Sequence, residues 1–122
     1  MPRRHLLRGS TNPELIRLIR TLIKRSRENK VSIWRDVADR LAGGDRVVVN
    51  ISRINRNTGE GETVIVPGKV LGTGRLDHPI KVAAFNFSKS AMGKITSAGG
   101  SCMTIEQLVS ENPKGSLLKV MC

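Results

Sequence analysis

Residues 80–97, IKVAAFNFSKSAMGKITS, decide the fold because they change from strand-like to helix-like patterning at one residue. Ile80 to Phe87 is a short run rich in strand-forming residues. Ser88 is a preferred helix N-cap and predicts a helix from there to about Ser97, which Gly99-Gly100 ends. A strand that leads straight into a helix indicates an α/β chain.

On both sides of this segment, predicted helices and strands alternate irregularly, so we predict an α/β fold for the whole chain. Asn12 or Thr11 suits the N-cap of a first helix, and Pro13 suits its first turn. The further predicted elements are a helix from Val31 to Leu41 that Ser32 caps and Gly43-Gly44 ends, strands at Arg46–Ile51, Thr63–Val66 and Lys69–Leu71 with a break at Pro67-Gly68, a helix from Thr104 to Val109, and a strand at Leu117–Met121.

The composition is that of one folded domain with excess positive charge. The chain has 122 residues, of which 39% are hydrophobic, and 21 Lys and Arg against 10 Asp and Glu give a net charge of +11. Without a long apolar run, and with no apolar stretch after Arg8, we expect a soluble, intracellular chain. The two cysteines lack paired spacing, so we predict two ordinary thiols, no metal site and no cofactor.

The positive charge is concentrated near the N-terminus. Residues 1–30 carry nine basic and two acidic side chains, net +7, whereas residues 105–122 are neutral. A polyanion is the leading explanation for such an excess, and nucleic acid is the commonest polyanion. An acidic membrane surface is a weaker alternative, because no Trp or Phe accompanies the basic segment.

The first predicted helix gathers its cations on one face. Arg17, Arg20, Lys24 and Arg27, which we call the basic stripe, fall within an arc of about 80° along roughly 15 Å of helix axis. Solvated faces usually mix charge signs, and like charges four residues apart destabilise a helix by about 0.2–0.5 kcal/mol. We therefore favour phosphate contact over a plain solvated surface for the basic stripe.

The second predicted helix provides an internal comparison. Its outer face carries Arg35, Asp36, Asp39 and Arg40, whose spacing allows two ion pairs between residues four apart. That mixture is typical of a solvated face. Trp34 is predicted on the opposite, apolar face, as a core residue and not as a platform for base stacking.

Residues 55–62, NRNTGEGE, form a run rich in Asn and Gly that predicts a mobile loop. Arg53 and Arg56 stand near its base and are expected to contact RNA phosphates, which would order the loop. Glu60 and Glu62 are expected to face solvent or a basic protein neighbour. A loop tip without any partner is the alternative.

Four further motifs suggest binding or chemistry, and each has a plainer explanation. Gly72-Thr73-Gly74 is more typical of a tight turn than of a nucleotide site, and Ser88-Lys89-Ser90 combines plain capping with a possible anion site. Asp77-His78 has the residue types of a catalytic pair but no assignable nucleophile. Phe85 and Phe87 would suit base stacking, although their apolar surroundings favour core packing.

Three segments together resemble a known family: Gly68–Gly74 (GKVLGTG), Lys81–Ala91 (KVAAFNFSKSA) and Ile95–Cys102 (ITSAGGSC). They are similar to the L-eighteen-e family of large-subunit ribosomal proteins, and Asn12-Pro13-Glu14-Leu15 and Ile33-Trp34-Arg35 fit the same family. The resemblance covers nearly the whole chain. Residues 68–102 also resemble the C-terminal half of the bacterial L-fifteen ribosomal proteins, and the compact length is similar to that of archaeal members.

The resemblance implies an irregular superhelix of strand-strand-helix turns with basic N-terminal helices packed alongside. It also implies a structural constituent of the large ribosomal subunit, located in the cytoplasm and without catalysis of its own, whose partners are the large-subunit rRNA and neighbouring ribosomal proteins. Neither a membrane nor a small-molecule substrate is expected. We expect residues 1–122 to form a single rRNA-binding domain, in which residues 1–12 are a basic arm.

The candidate RNA contacts come from the charge pattern, not from the resemblance. We expect them to bind mainly the phosphate backbone and so to stabilise the folded rRNA. They are Arg3, Arg4, Arg8, Arg17, Arg20, Lys24, Arg27, Lys30, Arg53, Arg56, Lys69, Arg75, Lys89 and Lys94.

Two other classes of function stay as alternatives. A free-standing RNA-binding regulator would read single-stranded loops through exposed aromatic side chains, and this chain has only three aromatic residues. An enzyme acting on a phosphorylated substrate would need acids, histidines or lysines clustered in one cleft, and most of the ten acidic residues are predicted in surface pairs or loops.

Overall fold

The computed structural model describes residues 12–43 and 47–122, and in them helices and strands alternate as an α/β fold, which confirms the predicted class. The elements are α1 (Pro13–Asn29), α2 (Ile33–Ala42), β1 (Val47–Asn50), α3 (Ile51–Asn57), β2 (Thr63–Leu71), β3 (Lys81–Phe87), α4 (Lys89–Ser97), β4 (Ser101–Thr104), α5 (Ile105–Glu111) and β5 (Leu118–Val120).

These residues form two compact units, which are described separately. The first contains residues 12–43 with Glu106–Ser116, and the second contains Val47–Ile105 with Leu117–Cys122. Most of the expected basic arm, residues 1–11, lies outside the described residues, as do residues 44–46. The expectation of a single domain over residues 1–122 stays a prediction.

In the first unit, α1 begins as its sequence predicts. Asn12 is the N-cap, because its Oδ1 accepts the backbone N–H of Glu14 at 2.9 Å, and Pro13 opens the first turn. The apolar face buries Leu18, Ile19 and Leu22. The polar face is thereby turned outward along the whole helix.

Helix α2 packs against α1 and is anchored by its tryptophan. Trp34, Val37 and Ala38 are fully buried, which confirms the predicted core position of the indole. The Trp34 Nε1–H donates to the carbonyl oxygen of Pro113 at 2.7 Å. Ser32 stands at the N-cap as predicted, but its hydroxyl makes no capping bond and only its backbone oxygen accepts from the helix.

The second unit is built on a sheet in which all described strand pairs are parallel. The strand order is β1-β2-β3-β4, and β5 also pairs with β2, along Thr63–Ile65. One face of the sheet, including Val64, Val66 and Val82, packs with residues of α3 and α4 into a single apolar core. The sheet and two helices therefore share one buried cluster.

The predicted break at Pro67-Gly68 is a register shift within one strand. β2 continues from Thr63 to Leu71, and one extra residue lies between Val66 and Lys69 relative to β3. Gly68 is required by a close approach, because a Cβ there would lie 2.1 Å from the backbone oxygen of Val47 in β1.

The loop predicted at Asn55–Glu62 is wrong over its first three residues, which are helical. Residues Ile51–Asn57 form helix α3, and its Ile51 and Ile54 are fully buried. Two buried isoleucines three residues apart outweigh the weak helix propensity of the asparagines. The predicted strand through Ile51 accordingly ends at Asn50.

The remaining boundaries agree with the sequence to within two residues, apart from one strand. Ser88 caps α4 through its Oγ, which accepts the backbone N–H of Ala91 at 3.1 Å. Helix α5 begins directly after Thr104. The sequence did not indicate β4, a four-residue strand that pairs with Lys81–Ala84 of β3.

We expect Trp34→Ala to lower the free energy of unfolding by about 3–5 kcal/mol, because a large buried ring is removed. Trp34→Phe keeps most of the ring but leaves the Pro113 oxygen without its donor, so its cost is smaller, about 1–3 kcal/mol. Urea denaturation followed by circular dichroism measures both. A cost below about 1 kcal/mol for Trp34→Ala would contradict burial of the indole.

Candidate nucleic-acid interface

The basic stripe lies on the exposed face of α1, opposite its buried residues. Arg17, Arg20, Lys24 and Arg27 are all exposed. The first three line a shallow groove of about 490 Å³, whose other lining residues belong to the same helix. Lys30 is also exposed, immediately after α1, where it ends the helix in a left-handed conformation with φ of 55°.

The basic stripe and the cations of α2 differ in whether they form ion pairs. Within residues 12–43 and 47–122, no cation of the basic stripe forms an ion pair. On α2, Arg35 pairs with Asp39 at 3.1 Å and Arg40 pairs with Asp36 at 3.2 Å, as the spacing predicts. The first helix therefore presents uncompensated positive charge, whereas the second neutralises its own.

Arg53 and Arg56, two of the candidate RNA contacts in the second unit, stand on a helix face and not in a loop. Arg53 and Arg56 are three residues apart on the exposed side of α3. Lys69 projects from β2, where it is paired in register with Asn86, and it is exposed as well. Lys89 is exposed in the first turn of α4.

Lys94 has a structural role that the sequence did not indicate. Its Nζ donates to the carbonyl oxygens of Gly72 at 2.5 Å and Gly74 at 2.6 Å. The carbonyl between them, that of Thr73, accepts the backbone N–H of Ser52 at 3.0 Å. These bonds fix the Gly72–Gly74 segment as the tight turn that the sequence favoured, between α3 and α4.

Arg75 emerges from this fixed turn. It is exposed and, among the described residues, forms no ion pair. Together with Leu76 it forms one side of a shallow groove of about 380 Å³, whose other side is α4. The α4 side includes Gly93 and Ser97, which the sequence analysis did not single out.

Side-chain hydrogen bonds of Asp77 and His78 hold the segment that follows the turn. Asp77 Oδ1 lies 3.0 Å from His78 Nδ1, and His78 Nε2 lies 2.8 Å from Thr58 Oγ1. The Thr58 hydroxyl also donates to the backbone oxygen of Ile54 at 2.7 Å. The hydrogen bond from His78, and then one from Asn55, lower the pKa of the Asp77 carboxyl.

Glu62 is held by partners in its own chain. Its carboxylate accepts the backbone N–H of Gly59 and lies 3.4 Å from Lys119 Nζ, and both interactions lower its pKa, the Gly59 bond more strongly. Lys119 also donates to the backbone oxygen of Asn57 at 2.7 Å. Glu62 was expected to face solvent or a basic protein neighbour, but it pairs instead with Lys119 of its own chain. Residues 58–62 are thereby bonded to the rest of the second unit.

Two kinds of feature are absent from the described residues. No three His, Cys, Asp or Glu side chains in that part of the chain are grouped to hold a metal ion. Its helices are all too short or too polar to cross a bilayer. Cys102 and Cys122 are not joined by a disulfide, and burial raises the pKa of the Cys102 thiol.

Comparison with known proteins agrees with these features. The family profile described as "Ribosomal protein 60S L18 and 50S L18e" matches residues 7–121. The chain belongs to this family. It is 54% identical over 113 residues to the large ribosomal subunit protein eL18 of Methanosphaerula palustris. The aligned region covers 91% of this chain and 93% of that protein. Identity is 51% to the protein of the same name from Methanothermobacter thermautotrophicus, with the same coverage, and 48% to that of Archaeoglobus fulgidus, over 91% and 97%.

Family membership confirms the resemblance and the role that it implied. As an L18e-family protein, the chain is a structural, non-enzymatic constituent of the large ribosomal subunit, and it is located in the ribosome in the cytoplasm.

Glu62 and Asp77 provide a test of the bonds that fix residues 58–78. Both carboxyls have a lowered pKa, so their stabilisation is present above the unfolded pKa and is lost as the pH falls through the folded one. We expect Lys119→Met to raise the pKa of Glu62 but to leave it below its ordinary value, since Gly59 still donates. The pKa of Asp77, followed by carbon-13 NMR in the same titration, should not move. An unchanged pKa of Glu62 would show that Lys119 does not pair with it in solution.

Proposed function

We propose that this protein binds large-subunit rRNA mainly through the phosphate backbone, with the basic stripe of α1 as its principal contact, and so stabilises the folded rRNA. The observation that carries this is the contrast between two neighbouring helices. Arginines on α2 are paired with aspartates, whereas the four cations of the basic stripe have no carboxylate partner in the described part of the chain.

The electrostatics favour a polyanion over water as the partner of the stripe. Like charges three and four residues apart repel each other in the isolated helix. Phosphate groups remove that repulsion and release condensed counterions from the RNA, which is favourable at moderate salt. An RNA phosphate backbone bound to the stripe therefore stabilises a helix face whose cations repel one another in the free protein.

Backbone contact is favoured over base stacking because the aromatic side chains are used elsewhere. Trp34 is fully buried, and Phe87 packs against the core of the second unit. Phe85 is only partly exposed. Stacking on single-stranded bases requires exposed rings.

The cations of the second unit extend the proposed contact. Arg53, Arg56, Lys69, Arg75 and Lys89 are exposed, and Lys94 adds its charge from a half-buried position. Arg3, Arg4 and Arg8, outside the described residues, belong to the proposal on charge alone. Neighbouring proteins of the subunit are the second class of partner that family membership supports.

A matched pair of variants tests the stripe. Arg17→Gln with Arg20→Gln and Arg35→Gln with Arg40→Gln each remove two arginines by the same change from adjacent helices. We expect the first variant to lose about tenfold or more in affinity for the large-subunit rRNA, because two phosphate contacts disappear. Its thermal stability should stay the same or rise slightly, since repulsion is relieved. Filter binding and thermal denaturation give both quantities.

The α2 variant is the control. We expect it to lose much less affinity, since Asp36 and Asp39 already offset its arginines in the parent protein. Equal losses in the two variants would refute the assignment of the stripe.

Salt dependence tests the phosphate character of binding. For about five to seven contacts, the logarithm of the association constant should fall with the logarithm of salt concentration with a slope of about −4 to −6. Filter binding at several potassium chloride concentrations measures it. A slope shallower than about −2 would exclude an interface dominated by the RNA backbone.

A further inference from the structure

Gly93 is a glycine for which the chain's own structure gives no reason. It lies in the middle of α4 and is exposed. A Cβ added there would have no described atom within 4 Å, apart from its own helix. Glycine destabilises the interior of a helix relative to alanine. The isolated protein therefore forgoes helix stability at a position where alanine would fit.

The surroundings of Gly93 are cationic. It lines the groove between the Gly72–Gly74 turn and α4 together with Arg75 and Lys94. Neither cation forms an ion pair with a described residue, and α4 contains no acidic side chain. The Lys94 ammonium is directed to carbonyl oxygens, so its charge stays uncompensated within the groove wall.

The wall of the groove is also rigid. Lys94 and Ser52 hold the turn by three hydrogen bonds, and Gly74 adopts a φ of +102°, which favours glycine. Arg75 thus projects from a fixed backbone beside the helix. A phosphate contact made there needs little ordering of the protein.

We propose that this groove seats a sugar-phosphate strand of RNA, which approaches the backbone of α4 so closely at Gly93 that a Cβ would obstruct it. Arg75 contacts a phosphate directly and Lys94 supplies long-range attraction. Ser90 and Ser97 line the same groove. This rests on the proposed rRNA-binding function and names a second contact in the other unit. The charge of the groove favours RNA over a protein segment as occupant.

The test is a variant whose stability and affinity move in opposite directions. Gly93→Ala should raise the Tm of the free protein by about 2–4 °C, because helix propensity improves at an open position. Its affinity for the large-subunit rRNA should nevertheless fall about threefold, and that of Gly93→Leu about tenfold. Arg75→Gln should reduce the magnitude of the salt slope by about 0.7–0.9, the contribution of one phosphate contact.

Met92→Ala is the control, because Met92 is an exposed residue of the same helix that does not line the groove. Its affinity should not change. A lowered Tm for Gly93→Ala would show that the fold itself needs this glycine and would overturn the proposal. The proposal would also be overturned if Gly93→Ala bound naked rRNA with unchanged affinity but was poorly incorporated into the subunit. That result would identify a protein as the occupant of the groove.

The Arg17→Gln, Arg20→Gln variant separates this proposal from the proposed function. If that variant loses affinity while the Gly93 and Arg75 variants do not, the stripe stands and the groove is refuted. If none of them loses affinity, backbone binding by this protein is refuted together with the groove. Loss in the Gly93 and Arg75 variants with Met92→Ala unchanged supports the groove in either case.

Discussion

Strand β2 is hydrogen-bonded to three other strands, and the second unit depends on that pairing. β3 pairs along one edge with both halves of β2, before and after Pro67-Gly68. On the other edge, β5 pairs with the first half and β1 with the second. The extra residue near Pro67-Gly68 shifts the register between the halves without ending the strand. Because α3 follows β1 directly and α4 follows β3 after one residue, the same pairing determines where the cations on these helices stand.

Charge is distributed in two different ways within the first unit. The ion pairs on α2 are exposed, so each contributes at most about 1 kcal/mol, and their main effect is to leave that face nearly neutral. In the basic stripe, by contrast, the cations are neighbours of one another. Among residues 12–43 and 47–122, the ion pair found on α1 joins Arg25 with Glu28, and it lies outside the stripe. Two amphipathic helices of similar build therefore differ in what their polar faces suit: one suits water and the other an anionic surface.

The sequence predicted the features that depend on neighbours along the chain. The Asn12 and Ser88 caps, the burial of Trp34 and the ion pairs of α2 all follow from local spacing, and the structure shows each of them. Helix α3 and strand β4 were missed because distant contacts decide them: buried isoleucines form α3, and pairing with β3 forms β4. In the site, exposure of most cations was foreseeable, but the bonds of Lys94 were not, because their acceptors lie 20 and 22 residues away.

The polar groups of this protein divide according to whether they stabilise the free chain. Glu62 with Lys119 and His78 with Thr58 join segments of the second unit, so the fold accounts for them. The basic stripe and Gly93 do the reverse, because relief of repulsion or a gain in helix propensity would stabilise the isolated protein. Proteins forgo stability of this kind where function needs the less stable choice. A stabilising substitution that weakens assembly is therefore the physical signature of a surface shaped by its partner, and it distinguishes such a surface from one that is merely exposed.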